Sequence, residues 1–456
     1  MIGYYFSWIV AVSGASLGWL YPFFGLMVYY ALSLLRPQFT WHWVFADVGS
    51  TPSFSQWAAV STLIGWVLKG FGRLDMLRWV MVPMAGLALY LAGGLYATCF
   101  GAPAQGQFGV DRAWEMLTLQ AKIGLMALIT ITLVTDPGMV KAFGWVVVLS
   151  LGYLGETFNE WYLQSNGYLH NNGWGGIDNN GVAMVMVMGV PLAFFFIIHE
   201  KRWWLKAVLF IATAAMVHTV LFSFSRSGQI GLIMVAVVLF IVALVALPRK
   251  GLTIALAVVF IAITLQLAGK EVRQRFATIW VDQSERDESA RSRFDTWNAA
   301  WLCVQAHPMG VGPRNFNLVS DQYGLAPDKS VHNLFLQTAA DYGFLGMIGL
   351  GVFYVGVCVQ AFTASLTSTA RRMVWPRYYC HMVTVSIAGL LACSQFIGME
   401  AVEAGYIIAV LGLCTVAMIR HLAVTEPRTA SGKLPELEEM VEHAPDDAGD
   451  PEVLPV

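Results

Sequence analysis

A chain of 456 residues in which 57% are apolar and only 12% are charged is too hydrophobic for a water-soluble globular protein. Its mean hydropathy of +0.61 comes from many apolar runs that approach the length of a membrane-spanning helix. A β-barrel would need short alternating segments, whereas runs such as 229–247 and 251–268 are predominantly apolar throughout. The net charge of −2 says little about partners, because the charges are segregated by loop. The sequence predicts an all-α polytopic integral membrane protein.

The apolar runs predict a bundle of twelve or thirteen transmembrane helices. The spans lie near residues 3–19, 21–36, 54–71, 78–99, 114–134, 138–155, 180–198, 204–223, 228–247, 251–269, 334–362, 377–397 and 401–421. The first two meet at Tyr21-Pro22 and could form one broken helix. That alternative gives twelve spans and moves the N-terminus across the membrane.

Lys and Arg residues mark the cytoplasmic loops. They occur at Lys69, Arg73, Arg78, Lys201, Arg202, Lys206, Arg249, Lys250, Arg371, Arg372 and Arg377, which alternation places on one side. Residues 156–179 lie on the other side and contain no Lys or Arg. The long loop 270–331 is therefore periplasmic as well, although it carries eight Lys and Arg residues. We expect a function for those basic residues, because long loops translocate largely regardless of charge.

Four regions follow from this topology. They are an N-terminal transmembrane bundle (1–269), the periplasmic loop (270–331), C-terminal transmembrane helices (332–422) and a disordered acidic cytoplasmic tail (423–456). Within the loop, Glu288–Ala306 is predicted to form a helix lying on the outer leaflet. Its apolar face would consist of Phe294, Trp297, Trp301 and Val304. The glycines and prolines between Pro308 and Pro313 end this helix and turn the chain.

Two arginines at the outer boundary are candidate phosphate ligands. Arg226 lies in Ser225-Arg226-Ser227-Gly228, and Arg293 lies on the loop helix. Planar guanidinium groups suit bidentate contacts with phosphate. The structural alternatives are that Arg226 reaches for the interface and that Arg293 stacks on Trp297. Arg291 is an alternative to Arg293, since the two cannot share a helix face.

His332 is the candidate general base. It precedes the helix predicted from Leu334, where the helix dipole disfavours the imidazolium and keeps the ring neutral and usable as a base. No carboxylate is adjacent in sequence, and a structural role is the alternative. His307, on the turn side of the loop helix, is the rival candidate.

A polar stretch on the same outer side runs from Asn171 to Gly181. Asp178 and Asn180 within it predict a turn followed by a helix cap. Amides beside Trp174 would also suit a sugar. No outer loop holds an Asp-x-Asp or His/Cys cluster, so we predict neither a metal nor a cofactor.

The order of these motifs resembles that of the O-antigen ligase and polymerase superfamily. The motifs are Ser225-Arg226-Ser227-Gly228, Arg293-x-x-x-Trp297, Pro308-x-Gly310-x-Gly312-x-x-Asn315-Phe316, His332-Asn333-x-x-Leu336 and Gly343-x-x-Gly346. Asp178-Asn179-Asn180 ahead of an apolar run ending in Pro191-Leu192, together with Arg36-Pro37, resembles its exosortase-associated O-glycosylation ligase branch. The chain departs from these relatives in lacking basic residues ahead of Asp178.

The resemblance implies a C-type glycosyltransferase of the bacterial inner membrane. Such an enzyme passes a glycan from an undecaprenyl diphosphate carrier to an acceptor hydroxyl at the periplasmic face without a metal. The catalytic residues would be His332, Arg293 and Arg226, and the substrate-binding residues would be Arg291, Arg314, Asn333, Asp178 and Asn180. The acceptor would be a lipid, a protein or a polysaccharide, and no nucleic acid is involved. A polysaccharide polymerase is the alternative within the class, and a lipid-linked glycan transporter or flippase is the alternative outside it.

The predicted sidedness is tested by cysteines introduced at Gln283 and Asp321. Both should react with a membrane-impermeant thiol reagent in intact spheroplasts, above the background of the parent protein, because loop 270–331 is predicted to be periplasmic. A cysteine at Lys201 is the control and should react only after lysis. The opposite labelling pattern would show that the topology is the reverse of the predicted one.

Overall fold

The computed structural model describes residues 2–45, 53–165, 169, 173–246, 251, 254, 255, 258, 262, 288–398 and 402–425. The longer helices are α1 (Ile2–Leu17), α2 (Pro22–Leu35), α3 (Phe54–Leu68), α4 (Met81–Tyr96), α5 (Gly106–Leu133), α6 (Pro137–Ser165), α7 (Asn179–His199), α8 (Trp203–Phe222), α9 (Arg226–Ala246), α10 (Glu288–Ala306), α11 (Leu334–Ser365), α12 (Val374–Cys393) and α13 (Glu403–Thr425). Short helical turns occur at Pro37–Thr40, His42–Phe45, Leu74–Trp79, Ala97–Gly101, Ala102–Gln105, Phe316–Val319, Ser320–Tyr323 and Ser368–Arg372.

The all-α polytopic fold is confirmed. Within the described residues, six helical segments are long and apolar enough to cross a membrane. One of them, Met81–Leu133, contains two predicted spans, which the turns at residues 97–105 separate into α4 and α5. Most of the predicted span 251–269 lies outside the described residues, as does the predicted tail beyond Thr425. Helix α13 itself continues to Thr425, three residues into that predicted tail.

Helices α1 and α2 form an antiparallel hairpin, so they are not one broken helix. A Cβ atom placed on Gly14 would lie 2.5 Å from Val28 Cγ1, and one placed on Gly25 would lie 2.7 Å from Gly18 Cα. These small residues let the two backbones approach closely on either side of the turn at residues 18–21.

The loops predicted on opposite sides of the membrane lie at opposite ends of the bundle. At one end, the backbone N–H of Arg73 donates to Thr132 O (2.8 Å), and Arg420 Nη1 donates to Trp79 O (2.5 Å). At the other end, Ser33 Oγ donates to the Glu403 carboxylate. Glu403 and Arg420 belong to the same helix, α13, and its rise separates them by roughly 25 Å.

Helices α4 and α11 cross at van der Waals distance through glycines. A Cβ atom on Gly93 would lie 2.6 Å from the backbone N of Gly346, and one on Gly349 would lie 2.3 Å from that of Tyr90. Such contacts maximise dispersion between helices where lipid offers no hydrophobic driving force. They fix α11, which begins directly after residues 330–333.

Helix α11 is interrupted at Gly343, and the turn after α10 fills the interruption. Gly343 has φ 71° and ψ −178°. The N–H of Phe344 donates to Pro308 O instead of continuing the helix, and Ala340 O accepts from Val311 N, both at 3.0 Å. The break therefore leaves no orphaned backbone group at these positions. The prediction that residues 308–313 end the loop helix and turn the chain is confirmed.

The predicted loop helix is confirmed as α10, with the predicted bounds. The four residues of its predicted apolar face differ in exposure, however. Val304 is fully buried, whereas Phe294 is 50% exposed and Trp301 44% exposed. The reason is that α10 packs its small side chains, including Ala300 and Cys303, against α11 and the following turns. Phe294 and Trp301 are left exposed, whereas Trp297 is partly buried against the same cluster.

Gly343→Ala should destabilise the protein. The backbone conformation alone costs a non-glycine residue about 1–3 kcal/mol, and the added Cβ would lie 2.5 Å from the Met309 carbonyl carbon. Thermal unfolding of purified protein in detergent measures the loss. Gly351→Ala is the matched control on the same helix, since its nearest neighbour would be 3.9 Å away. Equal melting temperatures for the two variants would contradict this interpretation.

Candidate functional site

Four segments distant in sequence meet at the end of the bundle that holds Glu403. They are the start of α7, the start of α9, the first turns of α10 and residues 330–333 ahead of α11. Together they bring Asp178, Arg226, Arg293 and His332 into electrostatic contact. We call these four residues the charged cluster.

The first turn of α7 is joined by hydrogen bonds to Ser223 and Ser225, which lie between α8 and α9. Asn180 Oδ1 accepts from Ser225 Oγ at 2.8 Å, and Asn179 Nδ2 donates to Ser223 O at 2.8 Å. The Ser225 hydroxyl also accepts from Gly228 N at 3.2 Å, which caps α9. Arg226 is therefore the first residue of a capped and anchored helix, so the backbone from which its side chain extends is held in place.

Arg293 is held at the centre of the charged cluster. Its pKa is lowered by burial first and then by the nearby positive charge of Arg226, while Asp178 opposes the change. Its guanidinium carbon lies 5.9 Å from the centre of the Phe396 ring, and Trp297 stands beside the same ring at 6.1 Å. The ring beneath Arg293 is thus Phe396, not Trp297 as the sequence suggested. Sequence analysis missed Phe396 because it follows α12, far along the chain.

The Trp297 side chain contributes a hydrogen-bond donor to the same place. Its buried indole N–H has no acceptor among the residues that the structure describes. A buried donor without an acceptor is costly.

His332 lies one residue before the cap of α11, as predicted. Its φ of 52° is in the left-handed region, and Ser330 Oγ lies 3.2 Å from its Nε2. Burial lowers its pKa, Arg293 and Lys329 lower it further, and Asp178 raises it. The ring is therefore neutral over a wider pH range than an exposed histidine. The carboxylate that the sequence could not locate is Asp178.

The predicted ligands Asp178, Asn180 and Asn333 all have structural hydrogen bonds. Asp178 caps α7 by accepting from Gly181 N at 2.8 Å, which confirms the predicted cap, and it accepts from Asn180 Nδ2 at 2.9 Å. Asn333 caps α11 through Phe335 N and Leu336 N, both at 3.0 Å. Only Asp178 among them acts directly on Arg293 and His332.

The remaining candidates are not assembled with the charged cluster. Arg314 is exposed in the turn after α10, and no recorded contact between described residues joins it to the cluster. His307 is exposed at the far end of α10, roughly 20 Å from Arg293 by helix rise. That distance favours His332 over His307. Arg291 belongs to α10, but its side chain lies outside the described residues.

Fold and site together define a multi-pass membrane protein with a cationic site at one end of its bundle. Residues 211–351 match the family model described as O-antigen ligase, and this range contains Arg226, Arg293 and His332. The chain thus carries an O-antigen ligase domain, and its predicted place in the O-antigen ligase and polymerase superfamily is confirmed. It is an enzyme of the glycosyltransferase type, whereas the exosortase-associated branch stays a prediction. No curated protein matches the chain.

Asp178→Asn should shift the acidic limb of the transfer rate to lower pH. A base must be deprotonated, and the Asp178 charge raises the His332 pKa, so its removal lowers that pKa. Asparagine retains the helix cap. Initial rates against pH at saturating donor test this, with Asp328→Asn as the exposed control. A shift to higher pH, or equal profiles for the two variants, would refute the contact.

Proposed function

We propose that the protein transfers a glycan from an undecaprenyl diphosphate carrier to an acceptor hydroxyl at the periplasmic face of the inner membrane. The observation that carries the proposal is Arg293, a partly buried arginine held beside the like charge of Arg226. Two cations kept together at the cost of mutual repulsion favour a dianionic group between them. A lipid diphosphate carries that charge at the level of the membrane interface.

In the proposed reaction, the acceptor oxygen attacks the anomeric carbon of the glycan. A new carbon–oxygen bond forms as the bond from the anomeric carbon to the diphosphate oxygen breaks. The bonding electrons leave with the diphosphate, whose negative charge grows. Fixed guanidinium groups at Arg226 and Arg293 stabilise this growing charge more than the ground state.

His332 takes the proton of the acceptor hydroxyl in this scheme. Its lowered pKa keeps the imidazole neutral and ready to accept a proton at neutral pH. Asp178 would stabilise the imidazolium that forms. The acceptor hydroxyl would then lie between His332 and the sugar carbon, with the diphosphate on the Arg293 side.

The two arginines provide the charge stabilisation for which other transferases use a divalent cation. Metal independence is part of the proposal, and chelator in every assay tests it.

A polysaccharide polymerase remains the alternative within the class, because it differs only in using a growing glycan as acceptor.

A flippase would bind the same lipid but would place ionisable groups along a path through the bundle. The two mid-span candidates do not form such a path. Lys122 is exposed on α5, and His218 packs against Tyr162 and Phe222. Glycan transfer by purified protein to lipid, protein and polysaccharide acceptors is the measurement that separates these functions.

The arginine and histidine variants should separate binding from turnover. Arg226→Lys and Arg293→Lys should both weaken carrier binding and slow transfer, because lysine keeps the charge but lacks the planar fork. His332→Ala should leave carrier binding nearly unchanged and slow transfer by about a hundredfold or more. Undecaprenyl diphosphate affinity and single-turnover transfer are the measurements.

Arg78→Lys is the matched control. Arg78 also lies over an aromatic ring, 4.5 Å from that of Trp79, but at the opposite end of the bundle. It should bind and transfer like wild type. Normal turnover by His332→Ala, or loss of its carrier binding equal to that of the arginine variants, would remove the general-base role.

A further inference from the structure

Val331, the residue ahead of His332, is held through its N–H by a buried side-chain network on α11. Val331 N–H donates to Gln337 Oε1 at 3.0 Å, and Gln337 Nε2 donates to Asp341 Oδ2 at 2.7 Å. The other carboxylate oxygen, Asp341 Oδ1, accepts from Phe316 N at 2.7 Å. Gln337 is 5% exposed and Asp341 is fully buried. None of these side chains has a role in the proposed chemistry.

The carbonyl of the same residue is held from the opposite side. Thr296 Oγ1 lies 3.2 Å from Val331 O and 2.8 Å from Arg293 O, so one hydroxyl is shared between the two carbonyls. Thr296 is 4% exposed. Val331 is therefore fixed through its N–H by α11 and through its C=O by α10. The second contact links the His332 segment directly to the turn of helix that carries Arg293.

We propose that Gln337 and Thr296 are positioning residues that fix the imidazole of His332 relative to the guanidinium of Arg293, with Asp341 orienting the Gln337 amide. The inference rests on the proposed function, because it concerns the geometry of that same site. Its physical basis is the left-handed backbone of His332, with φ 52°. A non-glycine residue keeps that conformation only where its surroundings enforce it.

Without the network, the segment can relax and the ring can move away from its neighbours. The charged groups that act on His332 are Arg293 from α10, Asp178 ahead of α7 and Lys329 from its own loop. Burial and Arg293 lower the His332 pKa, so a ring that moves outward regains a higher pKa. Misplacement of the base also slows transfer, while the arginine side chains stay in place.

Gln337→Leu and Thr296→Val test the proposal. Each should lower kcat by about tenfold or more with little change in undecaprenyl diphosphate affinity. Each should also move the acidic limb of the kcat profile to higher pH. Valine is close in shape to threonine, so Thr296→Val should fold and provides the test if Gln337→Leu does not fold.

A double exchange tests the hydrogen-bond order. Gln337→Glu alone brings two carboxylates together, and Asp341→Asn alone leaves one amide N–H facing another donor. When both substitutions are combined, the hydrogen bond between positions 337 and 341 reverses its direction. The carboxylate introduced at position 337 accepts from Val331 N and from the amide introduced at position 341, whose oxygen accepts from Phe316 N. We expect the double variant to recover kcat to within a few-fold of wild type, above either single variant.

Gln120→Leu is the matched control for stability. Gln120 is also a buried amide with two partners, since it donates to Tyr90 OH and accepts from Tyr342 OH, both at 2.6 Å. It should lower the melting temperature without moving the pH profile. The inference falls if folded Gln337→Leu and Thr296→Val keep the wild-type kcat and pH profile, or if the double variant is no better than the singles. If His332→Ala still slows transfer, only the positioning role is lost. Normal turnover by His332→Ala would instead remove the general-base role on which the inference rests.

Discussion

The contact on which the site depends is the insertion of the turn at residues 308–312 into the break of α11. A helix broken at Gly343 exposes the carbonyl of Ala340 and the N–H of Phe344, and the turn bonds to both. A side chain at Gly310 would meet the Asp341 carbonyl oxygen at 2.5 Å, so the two backbones touch. This contact ties the end of α10 to the middle of α11. The start of α10, which carries Arg293, and the start of α11, which follows His332, are oriented as a result.

The membrane explains why the fold relies on such contacts. Apolar side chains gain little by leaving lipid for protein, so helices associate through close packing and hydrogen bonds. The glycines between α4 and α11 provide the close packing. The hydrogen bonds come from the buried side chains of Gln120, Gln337 and Asp341. Such packing holds the helices that carry the charged cluster, and the proposed electrostatic stabilisation of a leaving group requires fixed charges there.

The charged cluster combines groups that oppose one another. Arg226 and Arg293 repel, and Arg293 also disfavours protonation of His332. Asp178 opposes these repulsions, because its negative charge stabilises both Arg293 and the protonated form of His332. One carboxylate beside two arginines leaves the site electropositive, while burial and the charge of Arg293 outweigh Asp178 and lower the pKa of His332. That combination suits binding of a diphosphate beside a base.

The sequence by itself determined the class and the helices that the structure describes, and it named all four residues of the charged cluster as candidates. Hydropathy and helical period are local properties, so α10 could be bounded from residues 288–306 alone, and the order of motifs singled out Arg226, Arg293 and His332. Only the tertiary structure decided the partners. Asp178 as the neighbour of His332, Phe396 beneath Arg293 and Gln337 behind Val331 are contacts between separate segments or helices. The tertiary structure also decided which aromatic rings of α10 are exposed. Their exposure depends on where α11 packs, and the periodicity of a single helix carries no information about that contact.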